Sequence, residues 1–168
     1  QLANVTAAQL AGLSTAQINA LGTDISGLPT AALANLTAAQ IGALAPATLA
    51  ALSTAQLTAL TGPQLANVTA TQIDSLNAAQ ITALGDDLSA LPAAAIGSID
   101  AAQAGGITAT QLDSFDATDL GALTAGAIGG LTPTVFASLD NTQLGNLTAP
   151  QLANVTAAQL AGLSTAQI

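Results

Sequence analysis

The side chains of this chain that could take part in chemistry are limited to Asp, Ser and Thr. The sequence contains nine Asp and no Glu, Lys, Arg, His, Cys, Met, Trp or Tyr. No hydroxyl therefore has an imidazole or amine to activate it, and Zn and redox sites lack their usual ligands. A net charge of -9 without any cation argues against binding to nucleic acid or to anionic lipid. The composition predicts a protein that is not an enzyme and that uses no cofactor and no small-molecule substrate.

The densest group of carboxylates is Asp113, Asp116 and Asp119, in the sequence DSFDATD. Ca²⁺ prefers several oxygen ligands, so these three are the calcium candidates of the chain. In the eight-residue repeat of this chain, Asp116 stands where a helix cap is expected, and Asp119 stands three residues later, where Gln is usual. Helix capping therefore explains both residues without an ion. Asp86 and Asp87 lie in a shortened repeat, where a turn or cap is favoured. We therefore predict no metal site.

Four Asn-x-Thr sequons are candidates for N-glycosylation, at Asn4, Asn35, Asn67 and Asn146. The repeat generates this spacing by itself, because Asn falls at a helix end and Thr at the next helix cap. Capping is therefore the favoured interpretation of these residues. Glycosylation is the alternative.

The whole chain is built from units of eight residues. Large apolar residues recur with gaps alternating between three and five, and residues 151–168 repeat residues 1–18 letter for letter, so the pattern restarts after 150 residues. One period contains nineteen units, of which two, beginning at Gln17 and Gln80, have seven residues. We predict one continuous tandem-repeat array over residues 1–168, as a segment of a longer chain.

Each unit predicts one short capped helix. Positions 2 and 5 of the unit are Leu, Ile, Val or Phe with the one exception of Ala104, which predicts the core. Position 6 is mostly Ser, Thr, Asp or Asn, and a Gln follows three residues later in eleven units, as in Thr6-Ala7-Ala8-Gln9. This is the spacing of a capping box with a hydrophobic staple. The six Pro residues fall at or just after the cap position, where a helix tolerates them.

These features predict an all-α fold, a repeat solenoid of single short capped helices with one helix per octad. Helices should cover positions 7, 8, 1, 2 and 3 and end at the small residue of position 4, where Gly and Asn suit a left-handed termination. An eight-residue period keeps no continuous seam on one long helix, which excludes a coiled coil. A β-solenoid with a turn in every octad is the alternative. No apolar run approaches the length of a transmembrane helix, so membrane insertion is not expected.

The octads LSTAQINA, LTAAQIGA and LSTAQLTA resemble the L-[ST]-x-x-Q-[IL]-x-x arrays of giant bacterial surface and secreted proteins, often labelled adhesins or heme-utilisation proteins. The resemblance covers essentially the whole chain and implies an extracellular or cell-surface location. A heme role is not supported, because the ligand types His, Cys, Met and Tyr are missing.

The predicted function is structural. The perfect recurrence and the lack of reactive side chains favour a subunit or segment of an extracellular filament, stalk or biofilm-matrix fibre that associates with itself. An adhesive repeat region of a large bacterial surface protein is the alternative.

Overall fold

The computed structural model describes residues 2–168, and within this range the chain is helical, with no strand. The repeat is an α-solenoid, which confirms the predicted fold class and is against the β-solenoid. Gln1, the first residue of the Gln column, lies outside the described residues. Eighteen α-helices of four to six residues form, no more than one per repeat unit: α1 Ala7–Ala11, α2 Thr15–Asn19, α3 Thr30–Leu33, α4 Ala38–Gly42, α5 Pro46–Ala50, α6 Thr54–Thr58, α7 Gly62–Leu65, α8 Ala70–Asp74, α9 Ala78–Ala83, α10 Ala93–Ile96, α11 Ala101–Ala104, α12 Ala109–Asp113, α13 Ala117–Ala122, α14 Ala125–Gly130, α15 Pro133–Ala137, α16 Asn141–Gly145, α17 Ala149–Leu152 and α18 Ala157–Ala161.

The helices begin where the capping pattern predicts. Eleven of them start at a reciprocal capping box, as in α1, where the Thr6 side chain accepts the Gln9 N–H and the Gln9 side chain accepts the Thr6 N–H. The prolines also lie at helix starts, at the cap (Pro29, Pro92) or inside the first turn, where no intrahelical donor is lost (Pro46, Pro63, Pro133, Pro150).

The predicted left-handed helix ends are wrong. The residues that follow the α-helices have right-handed or extended backbones, and no residue other than Gly has positive φ within 2–168. The chain instead tightens into a 3-10-type turn, in which the N–H at position 5 donates to the carbonyl at position 2. Leu44 N–H to Ile41 C=O, at 3.1 Å, is one example. This turn pairs a terminal carbonyl without requiring a left-handed residue.

The two seven-residue units share one departure from the pattern. Gly22 and Gly85 carry positive φ values of 50° and 61°, and each begins a 3-10 helix, Gly22–Gly27 or Gly85–Ala90, instead of an α-helix. A third 3-10 helix covers Leu2–Asn4. The missing residue is thus accommodated by a left-handed Gly, a conformation that is costly for other residues.

Three units make one coil of the solenoid. Contacts between elements that are not neighbours join each element to the third one along the chain, so that α4 packs on α7, α5 on α8 and α6 on α9. The apolar side chains of positions 2 and 5 fill the interior as one continuous core. Because helices this short are unstable alone, the packing of each coil on the next supplies most of their stability.

Small residues bring the backbones close together on one side of the stack, where α9, α11 and α14 pack in sequence. Ala104, the exception in the position-2 column, is fully buried there. Gly106 and Gly130 lie directly against the backbones of Ala78 and Ala101 in the preceding coil, where a Cβ would overlap the neighbouring carbonyl. The small side chains therefore permit a close approach of consecutive coils.

Candidate functional site

A ladder of Gln side chains joins successive coils, with a gap at the three consecutive units that begin at Asp119, Ala127 and Val135. The Gln72 Oε1 accepts the Thr69 N–H (2.8 Å), as the capping box requires, and its Nε2 donates to the carbonyls of Ile41 (2.9 Å) and Leu44 (2.8 Å) in the preceding coil. Other Gln residues of the column also donate to carbonyls 26 to 31 residues earlier: Gln40, Gln56, Gln64, Gln80, Gln103, Gln111, Gln143, Gln151, Gln159 and Gln167.

This ladder was not predicted from the sequence, although its residues were. Gln72 is only 1% exposed, and no buried side-chain polar atom within residues 2–168 lacks a hydrogen-bond partner. The capping box uses the amide oxygen of each Gln and leaves the NH₂ group free for a second task. The ladder therefore holds coils together through polar contacts inside an otherwise apolar stack.

The structure uses two of the three calcium candidates as helix caps. The Asp116 Oδ1 accepts the N–H groups of Thr118 (2.7 Å) and Asp119 (2.9 Å) at the start of α13, and the Asp119 Oδ2 accepts the Asp116 N–H (3.2 Å). Asp113 is the last residue of α12. Among residues 2–168, no group of three or more Asp side chains is arranged to hold a metal ion, so the three carboxylates are not brought together as a ligand set.

The two capping carboxylates have opposite electrostatic environments. The backbone N–H of Asp119, followed by that of Thr118, lowers the pKa of the exposed Asp116. Burial raises the pKa of Asp119, against the lowering effect of its hydrogen bond to the Asp116 N–H, and the nearby Asp116 charge also raises it. Asp119 is therefore an imperfect substitute for the Gln that usually fills this position.

The remaining candidates lie on the surface. Asp86 and Asp87 are in the first turn of the 3-10 helix Gly85–Ala90, in agreement with the expected turn. All four sequon Asn residues are exposed: Asn4, Asn35, Asn67 and Asn146. The Asn35 amide donates to the Ala31 carbonyl (2.7 Å), which places it in a local turn at the end of α3.

The two ends of the solenoid carry its open cavities. A pocket of about 560 Å³ lies at the C-terminal end, with Leu152, Leu160 and Ile168 as its most exposed apolar lining residues, and none of its lining residues is titratable. A second pocket, of about 350 Å³, is lined by residues of the first turns, including Leu2, Asp24 and Gly27.

No known protein family and no curated protein matches this chain. Within residues 2–168, no helix has the length and apolar character needed to cross a membrane.

Proposed function

We propose that this chain is a structural subunit or segment of an extracellular filament, stalk or biofilm-matrix fibre. One observation carries the proposal. The coils pack on one another through the same apolar columns, and the Gln ladder joins them except at the coil of three units that begin at Asp119, Ala127 and Val135, while residues 151–168 restart the sequence of residues 1–18. A stack of this kind can be extended by further coils, because each coil presents the surface on which the next one packs.

The surface chemistry supports the same proposal. The chain has nine Asp and no Lys or Arg, so it carries no trypsin cleavage site and no basic patch. The exposed side chains are mainly those of Ala, Thr, Ser, Asn and Asp. Such a surface offers durability and weak electrostatic adhesion, which suits a fibre. The resemblance to octad arrays of bacterial surface and secreted proteins adds the extracellular location to the proposal.

Electron microscopy of the purified chain and of the native material tests this function. We expect long, uniform filaments whose width corresponds to one or a few solenoids. A compact monomer with catalytic turnover, or with a tightly bound soluble ligand, would contradict the proposal. Binding of isolated chains to a host or bacterial surface without any filament would favour the adhesive alternative.

Treatment with EDTA tests the dependence of the filaments on metal. We expect them to survive, because capping already engages Asp116 and Asp119. Their dissolution by EDTA would return Asp113, Asp116 and Asp119 to consideration as calcium ligands.

A further inference from the structure

Hydrogen bonds between coils involve side chains throughout the described residues, and one junction inside the stack has none. The backbone hydrogen bonds outside the helices join residues only three or four apart, so they stay within one unit or its neighbour. No side-chain hydrogen bond joins residues 88–115 to residues 116–139, where the side-chain bonds that are made are local. The reason lies in the sequence, since Asp119, Ala127 and Val135 stand where Gln is usual. We call this place the unladdered junction.

A laddered junction lower in the stack shows which bonds are missing. There, Gln64 donates to the Leu36 carbonyl at 2.7 Å, and Gln72 donates to the Leu44 carbonyl at 2.8 Å. The equivalent carbonyls at the unladdered junction belong to Leu91, Ile99 and Ile107. None of these three carbonyls accepts a hydrogen bond from the described chain, although all three residues are buried.

The contacts that remain at the unladdered junction are apolar and close. α14 packs on α11, with Gly130 against the backbone of Ala101. Apolar contacts are non-directional, so they hold two coils together without fixing them as hydrogen bonds do. Ala104 also buries less apolar surface than the Leu or Ile usual in its column. Seven of the fifteen Gly lie within residues 97–130, and Gly gains more backbone freedom on opening than other residues.

We propose that the solenoid opens locally at the unladdered junction, where residues 88–115 and residues 116–139 separate more readily than any other pair of coils inside the stack. From residue 24 onward, every other set of three consecutive units contains at least one Gln that donates to the preceding coil. The coils on both sides therefore keep their ladders while the junction opens. This local opening is a property of the single chain and does not depend on the proposed function.

Native-state hydrogen exchange of the unmodified chain, followed residue by residue by NMR, tests the proposal. The N–H groups at position 5 are matched reporters, because they make the same 3-10-type bond at both kinds of junction: Ile99 N–H to the Ile96 carbonyl and Leu44 N–H to the Ile41 carbonyl are both 3.1 Å long.

The reporters should differ between the two junctions. After correction for intrinsic rates, we expect at least about tenfold faster exchange at the unladdered junction, because the missing bonds lower the cost of opening. The amides to compare are Leu91, Ile99 and Ile107 at the unladdered junction with Leu36, Leu44 and Leu52 at laddered positions. Equal protection of the two groups would overturn the proposal.

Two variants at Asp119 separate the missing donor from the charge of the carboxylate. Asp119→Gln supplies an amide long enough to reach the preceding coil, so it should slow the exchange of the Leu91 amide several-fold and leave the Leu44 amide unchanged. Asp119→Asn also removes the charge, but its side chain is as short as that of Asp, so the Leu91 amide should stay fast. Equal slowing by both variants, or no slowing by Asp119→Gln, would show that opening does not depend on the ladder.

Discussion

The Gln of the repeat performs two structural tasks with the two ends of one amide. Its oxygen completes the capping box of its own helix, and its NH₂ group pairs carbonyls of the preceding coil. A Thr or Ser at the same position is too short for both tasks, and a Leu would leave the carbonyls unpaired. A buried unpaired carbonyl costs about 1 to 3 kcal/mol, which explains why a polar residue occupies the edge of the core.

We predict that Gln72→Ala lowers the free energy of unfolding by about 2 to 4 kcal/mol, because it removes a cap and leaves buried carbonyls without a donor. Gln72→Glu keeps the oxygen that caps Thr69 but removes the donor, so it should also destabilise. Gln9→Ala is the matched control and should cost about 1 kcal/mol or less, since the exposed Gln9 only caps. Urea unfolding of the three variants measures these differences. A neutral effect of Gln72→Glu would show that capping is the only role of this residue.

Asp119 gives a prediction on pH dependence. Burial raises the pKa of Asp119 in the folded protein, so the protonated side chain favours folding. This contribution to the free energy of unfolding is fully present below the unfolded pKa of about 3.9 and is lost as the pH rises through the folded pKa. The lowered pKa of Asp116 acts in the opposite sense, since its stabilisation is present above about pH 3.9 and is lost as the pH falls through the folded value.

Asp119→Gln should therefore stabilise the protein at pH 7 by about 1 kcal/mol, because a neutral amide removes the buried charge and brings the carbonyls of Leu88 and Leu91 within its reach. The gain should shrink as the pH falls through the folded pKa of Asp119, which burial holds above its ordinary value. Denaturant titrations at pH 7 and pH 3.5 measure the two values. The reverse change, Gln143→Asp beside the cap Asp140, serves as the control and should destabilise at pH 7. An equal gain from Asp119→Gln at both pH values would contradict the electrostatic explanation.

Sequence alone predicted the capping role of residues such as Gln72 and Thr69, because a cap depends on residues three positions apart. It did not predict the second role of Gln72. The carbonyls of Ile41 and Leu44 are distant in sequence, and their position beneath Gln72 depends on how many units complete one coil. That number is set by the packing of Leu, Ile and Ala between coils, which the local pattern does not encode.

At the scale of the element, helix starts were predictable and helix ends were not. Starts depend on side chains that accept backbone N–H groups, and these are visible in the sequence at positions such as Ser14 and Gln17. Ends were expected to require left-handed Gly or Asn, yet Asn146 and Gly12 end their helices with right-handed backbones. The next unit begins so soon that a 3-10-type turn satisfies the last carbonyls, and no reversal of the chain is needed.

Substitution of Gly by Ala should have opposite effects on stability at two positions. Gly106→Ala should destabilise by about 1 to 3 kcal/mol, because its Cβ would overlap the backbone of Ala78. Gly121→Ala, inside α13 and with no atom within 4 Å of the added Cβ, should stabilise by about 0.5 to 1 kcal/mol through lower backbone entropy in the unfolded chain. Thermal or denaturant unfolding of both variants compares the signs. The close packing of α9 on α11 would be refuted by a stabilising Gly106→Ala.

The whole molecule combines two periods that do not match. One coil takes three units, whereas the sequence restarts after nineteen, so each 150-residue copy contains six coils and one third. Successive copies of one surface residue therefore face directions that differ by a third of a turn. A filament of such copies presents each surface feature, including the exposed Asn35 and Asn67, around its full circumference instead of along one side.

This mismatch gives a prediction for the filament. With helices packed about 8 to 10 Å apart, six and one third coils give an axial rise of roughly 50 to 63 Å per 150-residue copy. Helical reconstruction of filaments by electron cryomicroscopy measures the rise and the rotation of each copy. Deletion of residues 64–71 removes one octad and keeps the eight-residue spacing of the neighbouring Gln residues. Each copy should then contain eighteen units and six whole coils. The rotation per copy should then change by a third of a turn and the rise should shorten by about 3 Å. An unchanged rotation would mean that the coils of the filament are not built from three units.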